Sequence, residues 1–224
     1  MQRHRAQPGT MPSSPAEAWA MLAAGNARFM AGAPAHPHQD IHVRNRVALK
    51  QRPFAVFFGC ADSRVGAELI FDQGLGDLFV VRTAGQVTDP SVLGSIEFGI
   101  GPLEIPLIVV LGHDSCGAIK AALAAHESGQ VPGGFLRDIV ERVTPSVMAV
   151  ARRGELTPSA VEEEHVRMTA GLLAERSALV AQKVAQGSLA IVGAQYALAH
   201  GEATILSVEG DLGPYTPAPY TPAP

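Results

Sequence analysis

Two apolar runs of strand length, residues 54–59 (FAVFFG) and 107–112 (LIVVLG), constrain this chain more than any other feature. Both are shorter than an ordinary helix and too uniformly apolar for a strand with one wet face. Runs of that kind are the central strands of a parallel sheet. Each passes from its glycine straight into residue types that bind metal ions: Cys60 and Asp62 after the first, His113 and Cys116 after the second. Those side chains offer two thiolates, an imidazole and a carboxylate, a donor set suited to tetrahedral zinc. Either half alone is weak, because a cysteine behind a buried strand is ordinarily a small core residue. Together they are specific. The chain has two cysteines, and both fall just past strand ends, where an open α/β sheet gathers its chemistry.

The spacing Cys60-Ala61-Asp62-Ser63-Arg64 adds a competition. On an extended turn Cys60 and Asp62 face one side, with Arg64 next along it. Arg64 can grip Asp62 with two parallel hydrogen bonds and draw it off the ion, leaving Cys60, His113, Cys116 and an open fourth position. Without that grip the ion has four protein ligands and the site is closed.

Between and beyond these motifs the pattern alternates strand and helix. An amphipathic helix is expected from Pro15 to Gly32 with Ser14 as N-cap, a short basic helix over residues 41–51, and a third over residues 65–71. Asp89-Pro90 opens another helix through Gly99, and residues 115–128 form one that starts inside the second motif. Residues 133–187 read as two or three helices interrupted at Pro145, Gly154 and Pro158. Strands are expected at residues 54–59, 78–82, 107–111 and 188–193, with an edge strand at 203–208. The fold class is α/β: a single domain with a central, mostly parallel sheet of four to five strands flanked by helices, plus an N-terminal helical arm. Domain limits are residues 15–212, between a disordered lead (1–14) and a Pro-rich disordered tail (213–224) that repeats YTPAP.

A net charge of −4 with no stripe of Lys or Arg gives no footprint for nucleic acid. No apolar stretch is long enough to span a membrane, the N-terminus lacks the apolar centre of a signal peptide, and separate cysteines argue for reduced thiols. A cytoplasmic protein is expected. With 47% hydrophobic and 17% charged residues, either an Ala-rich helical surface or burial between subunits accounts for the thin charged surface.

The motifs C-x-D-x-R (Cys60 to Arg64) and H-x-x-C (His113 to Cys116) resemble those of the β-class carbonic anhydrases, and the similarity extends from AGNARF (residues 24–29) through GAQYALAHG (residues 193–201). The resemblance implies reversible hydration of carbon dioxide to bicarbonate and a proton by attack of zinc-bound hydroxide on CO₂, with one zinc ion per chain. It implies metal ligation by Cys60, His113, Cys116 and Asp62, with Asp62 and Arg64 as the catalytic pair. It places Gln51, Phe79 and Gly117 at substrate-binding positions. It further implies a homodimer or homotetramer with active sites at the subunit interface. Phe98 stands where many relatives have a tyrosine, and Phe57 where relatives with a second, inhibitory bicarbonate site have a tryptophan; Arg82 alone of that trio is kept. Two alternatives stay open on sequence: a non-catalytic zinc-stabilised or redox-sensing module closed by Asp62, and a hydrolase for a CO₂-like substrate such as CS₂ or COS. His126, His165 and His200 are titratable, but nothing in the sequence brings them to the ion.

Overall fold

The computed structural model describes residues 11–213; the expected lead over residues 1–10 and the tail from residue 214 lie outside them. Five strands form one sheet in the order β2-β1-β3-β4-β5. They are β1 (Ala55–Cys60), β2 (Leu78–Thr83), β3 (Leu107–His113), β4 (Ala190–Tyr196) and β5 (Ala203–Glu209). The first four run parallel and β5 closes one edge antiparallel to β4. Every residue of β1 and β3 is buried, which is why both read as unbroken apolar runs. Strand β2, at the other edge, alternates half-buried and exposed positions.

Helices cover both faces. On one, α1 (Pro15–Met30) and α3 (Ala67–Ile70) pack Trp19, Leu22 and Ile70 onto Phe57, Val109 and Val192. On the other, α4 (Pro90–Ile100), α7 (Pro158–Arg176) and α8 (Ala178–Ala185) pack Ile96, Val166, Leu173 and Val180 onto Phe58, Val110 and Ile191. A third cluster joins α5 (Gly117–Ser128), α6 (Leu136–Arg153) and Val161 of α7, and contains Cys60 and Cys116. Before β1 lies α2 (Ile41–Val47).

Helix α1 begins as expected, with the Ser14 hydroxyl accepting from Glu17 N–H and Pro15 in the first turn. Within it, Gly25 lets the helix lie against β-sheet connections: a Cβ there would sit 1.8 Å from the Phe71 carbonyl oxygen. Its neighbour Asn26, buried, donates to Ile70 O and Gly201 O and accepts from Ala203 N–H. Residues 11–14 are tied in as well, since Met11 packs on the core and the Ser13 N–H and hydroxyl both donate to Glu17.

Two helix expectations are corrected. The second helix ends at Val47 rather than at Gln51. Only Val43 of it is buried, and residues 48–52 have no apolar face to hold a further turn, with Pro53 pushing Arg52 extended. Pro145, expected as an interruption, lies inside α6. The helix continues through it because Val140, Val143, Val147 and Val150 form a buried stripe, whose burial outweighs the ~3 kcal/mol an interior proline costs. Smaller shifts affect the strands: β1 reaches Cys60, β3 reaches His113 and β4 reaches Tyr196, each following its neighbour's ladder.

Candidate metal centre

Connections from β1 lead to β2 on one side, and the chain then crosses to β3 on the other, so β1 and β3 flank the point where the strand order reverses. Side chains leaving the C-terminal ends of those two strands open into one crevice. Cys60 ends β1, His113 ends β3, and Cys116 is the N-cap of α5. One donor atom from each, Cys60 Sγ, a His113 ring nitrogen and Cys116 Sγ, lie within 4.8 Å of one another, and all three residues are buried.

The donors are aimed as well as gathered. His113 Nδ1 lies 2.8 Å from the Asp114 carbonyl oxygen, which can only accept, so Nδ1 carries the hydrogen and the lone pair of Nε2 faces the sulfurs. That Nε2 is buried with no hydrogen-bond partner. A buried orphan nitrogen beside two thiols is costly unless a cation completes it, so the residues fit a thiophilic metal ion. Asp114 is itself braced against β4: its N–H donates to Tyr196 O and its carboxylate accepts from Leu198 N–H.

Asp62 stands beside this cluster rather than in it. The Arg64 guanidinium donates to both carboxylate oxygens, at 2.9 Å (Nε to Oδ1) and 2.7 Å (to Oδ2), and Arg64 N–H donates to Oδ1. Oδ2 is 3.9 Å from His113 Nε2. Those bonds hold the Asp62 carboxyl well below the usual range, so it is an ionised acceptor. A second arginine fixes the turn itself: Arg82 of β2 donates to the carbonyl oxygens of Cys60 and Asp62 at 2.9 and 2.6 Å.

The two thiols are coupled. The hydrogen bond with Cys116 lowers the pKa of Cys60 and raises that of Cys116, so one proton serves the pair and one sulfur ionises readily. Burial works against charge on His113, but the adjacent Cys60 carries its pKa upward.

The remaining expected residues lie elsewhere. Gly117 opens α5 next to Cys116, and nothing lies within 4 Å of where its Cβ would be. Phe79 pairs with Val56, four residues before Cys60, which is ~13 Å along the strand at 3.3 Å per residue, and its ring packs 6.2 Å from that of Phe98. Gln51 is exposed in the segment before β1. Phe57 is buried against Phe71. His126 and His200 are exposed.

Two residues at the centre, Glu162 and Gly85, have no place in the sequence-based expectations, and a third, His165, is set aside there but lies beside the cluster. Glu162 of α7, buried, accepts from Cys116 N–H at 3.1 Å, and burial pushes its carboxyl up to about 7. Gly85 donates its N–H to Cys60 Sγ at 3.3 Å. His165, also buried on α7, bonds the Gly85 carbonyl. Their one sequence signal is the polar run Glu162 to His165 in a segment that otherwise builds a core-facing helix.

Known proteins agree with this architecture. A family model described as carbonic anhydrase matches residues 55–203. The carbonic anhydrase of Mycolicibacterium smegmatis is 55% identical over 204 residues, covering 91% of this chain and 99% of the relative. Carbonic anhydrase 2 of Mycobacterium tuberculosis (strain ATCC 25618 / H37Rv) is 54% identical over the same shares. The solved structure of Coccomyxa β-carbonic anhydrase in complex with acetazolamide superposes with a TM-score of 0.67 at 26% identity, covering 86% of this chain and 84% of that one. Identity of that order across almost the whole length, on a sheet that brings the Cys/His/Cys cluster to its switch point, makes the chain an enzyme of the β-carbonic anhydrase family.

Proposed function

We propose that the chain catalyses the reversible hydration of CO₂ to bicarbonate and a proton, with one zinc ion per chain held by Cys60, His113 and Cys116. The observation that carries this reading is the unpartnered, buried Nε2 of His113 facing two thiols while Arg64 holds the nearby carboxylate aside. When bound, zinc supplies Lewis acidity that lets water ionise near neutral pH. Asp62, ionised and pinned, has a fixed oxygen at the edge of the cluster; it accepts a hydrogen from the attacking water and turns the water's lone pair to the CO₂ carbon. Arg64 keeps that oxygen in place and off the metal. A permanently closed structural site would have no use for this grip, which favours the enzyme over a redox-sensing or purely structural module.

Gln51 and Phe79 do not reach the cluster of their own chain, so their part in binding substrate requires a second copy. In this reading the protein is a homodimer or larger, joined through the β2 edge and the adjoining α4, where Val80 and Phe98 respectively are exposed. Gly117 bounds the substrate's space from its own chain. Among the described residues no helix is long and apolar enough to cross a membrane. The two free thiols fit a reducing compartment such as the cytoplasm.

Removing the metal tests this proposal. Chelation abolishes CO₂ hydration and stoichiometric zinc restores it; hydration that persists in metal-free protein contradicts the reading.

A further inference from the structure

We infer that His165 is a positioning residue for the metal centre, acting on Cys60 through Gly85. The inference rests on the reading of Cys60, His113 and Cys116 as the metal's ligands.

His165 joins two helices to the loop after β2. Its Nε2 is 2.8 Å from the Gly85 carbonyl oxygen and its Nδ1 is 2.9 Å from Ser146 Oγ on α6. A carbonyl can only accept, so Nε2 carries the hydrogen; the neutral ring then offers the Nδ1 lone pair to the Ser146 hydroxyl. Burial, with 4% of the residue exposed, keeps the ring neutral by lowering its pKa. Ser146, 1% exposed, supports with its hydroxyl the tautomer that the Gly85 carbonyl requires.

Gly85 is where the orientation matters. Its φ of 64° lies in the left-handed region, and a Cβ would meet the Ala118 Cβ at 2.6 Å, so only glycine fits. Glycine holds its own backbone least firmly of all residues. The Gly85 N–H, which donates to Cys60 Sγ at 3.3 Å, and the Gly85 carbonyl lie on the two peptide planes hinged at the glycine Cα, so a grip on the carbonyl plane removes one of the freedoms through which that N–H could swing away. That grip is His165. An N–H aimed at a thiolate draws charge from the sulfur and holds it in place, so the chain Ser146–His165–Gly85–Cys60 both positions a ligand and limits how strongly it donates to the ion.

The test compares three variants with the wild-type protein. Zinc affinity is measured by competition with a chromophoric chelator, and sulfur-to-metal charge-transfer absorption is measured after cobalt(II) substitution. His165→Phe keeps a ring but removes the donor: zinc affinity falls about tenfold to a hundredfold, and the charge-transfer band moves to longer wavelength. His165→Gln retains an N–H in reach of the Gly85 carbonyl and returns both values most of the way to wild type. Ser146→Ala shifts the band in the same direction by less, and it decides the question should His165→Phe not fold. An unmoved band in the folded variants lacking the donor or its Ser146 partner overturns the role, as does a Gln variant as impaired as Phe. A wild-type chain that takes up neither zinc nor cobalt overturns the metal reading itself.

Discussion

Asp62 and Arg64, two positions apart, form the pair on which the chemistry turns. Asp62 sits beside the metal cluster, ionised and gripped at both oxygens by Arg64. Asp62→Asn preserves the Cys/His/Cys ligands but replaces one acceptor oxygen with a donor, so it keeps zinc and loses hydration by about 100-fold or more, the scale of a positioned proton acceptor. Full activity in a zinc-loaded Asn variant would remove Asp62 from the mechanism. The ligand types were legible in sequence because the chain has so few cysteines and both follow buried runs. What surrounds them was not. Glu162 and His165 reach Cys116 N–H and the Gly85 carbonyl from a helix 46 and 80 residues away in sequence, and no local spacing encodes contacts of that range. Arg82 was readable only as one member of a family trio, while in the fold it clamps the carbonyls of the Cys60–Asp62 turn.

At the level of elements, the strongest local signals were caps and buried strands, and the weakest were places where tertiary packing overrides them. Ser14-Pro15 and Asp89-Pro90 start α1 and α4 because a side-chain oxygen satisfies an early N–H and proline needs none. Pro145 misled because a breaker's cost is local, whereas the valine stripe that overrides it is paid for by packing on α5 and α7. The close approach of α1 to Phe71 yields a sharp expectation. Gly25→Ala places a methyl inside the Phe71 carbonyl and forces α1 off α3, costing about 1–3 kcal/mol of unfolding free energy; a variant of unchanged denaturation midpoint would mean the helix lies farther out.

The same junction has an acid-sensitive brace. Asp72, just after α3, accepts from Arg28 Nε and from the N–H groups of Ala35 and His36 at 2.6, 2.8 and 2.9 Å. Burial alone would raise its pKa, but these three donors together lower it. A depressed carboxyl stabilises the fold above its unfolded value of 3.8, and that stabilisation is lost as pH falls through the lower folded value. Asp72→Asn therefore costs about 1–3 kcal/mol near neutrality, and the difference from wild type narrows in acid. A gap that stays constant with pH would assign the loss to packing rather than to charge.

For the molecule as a whole, the sheet order decides where chemistry can occur and which edge is left open. The reversal between β1 and β3 puts the cluster in the crevice, and β2 is left as an edge with Val80 36% exposed and, on α4 packed beside it, Phe98 47% exposed. An apolar parallel edge of this kind is ordinarily covered. Sedimentation velocity is expected to show a dimer or tetramer, and Val80→Lys to shift it toward monomer; an unaltered assembly would put the interface elsewhere. The fold class was readable because alternating strands and helices leave few parallel topologies, whereas the assembly was not, since an Ala-rich surface and a subunit interface give the same composition. Whether three side chains hold a zinc ion while Arg64 keeps Asp62 free to serve the reaction is decided by stopped-flow CO₂ hydration across neutral pH with zinc determined on the same sample. One zinc per chain with hydration rising as pH increases is the predicted result. A fully zinc-loaded protein that leaves CO₂ unhydrated at every pH would contradict it.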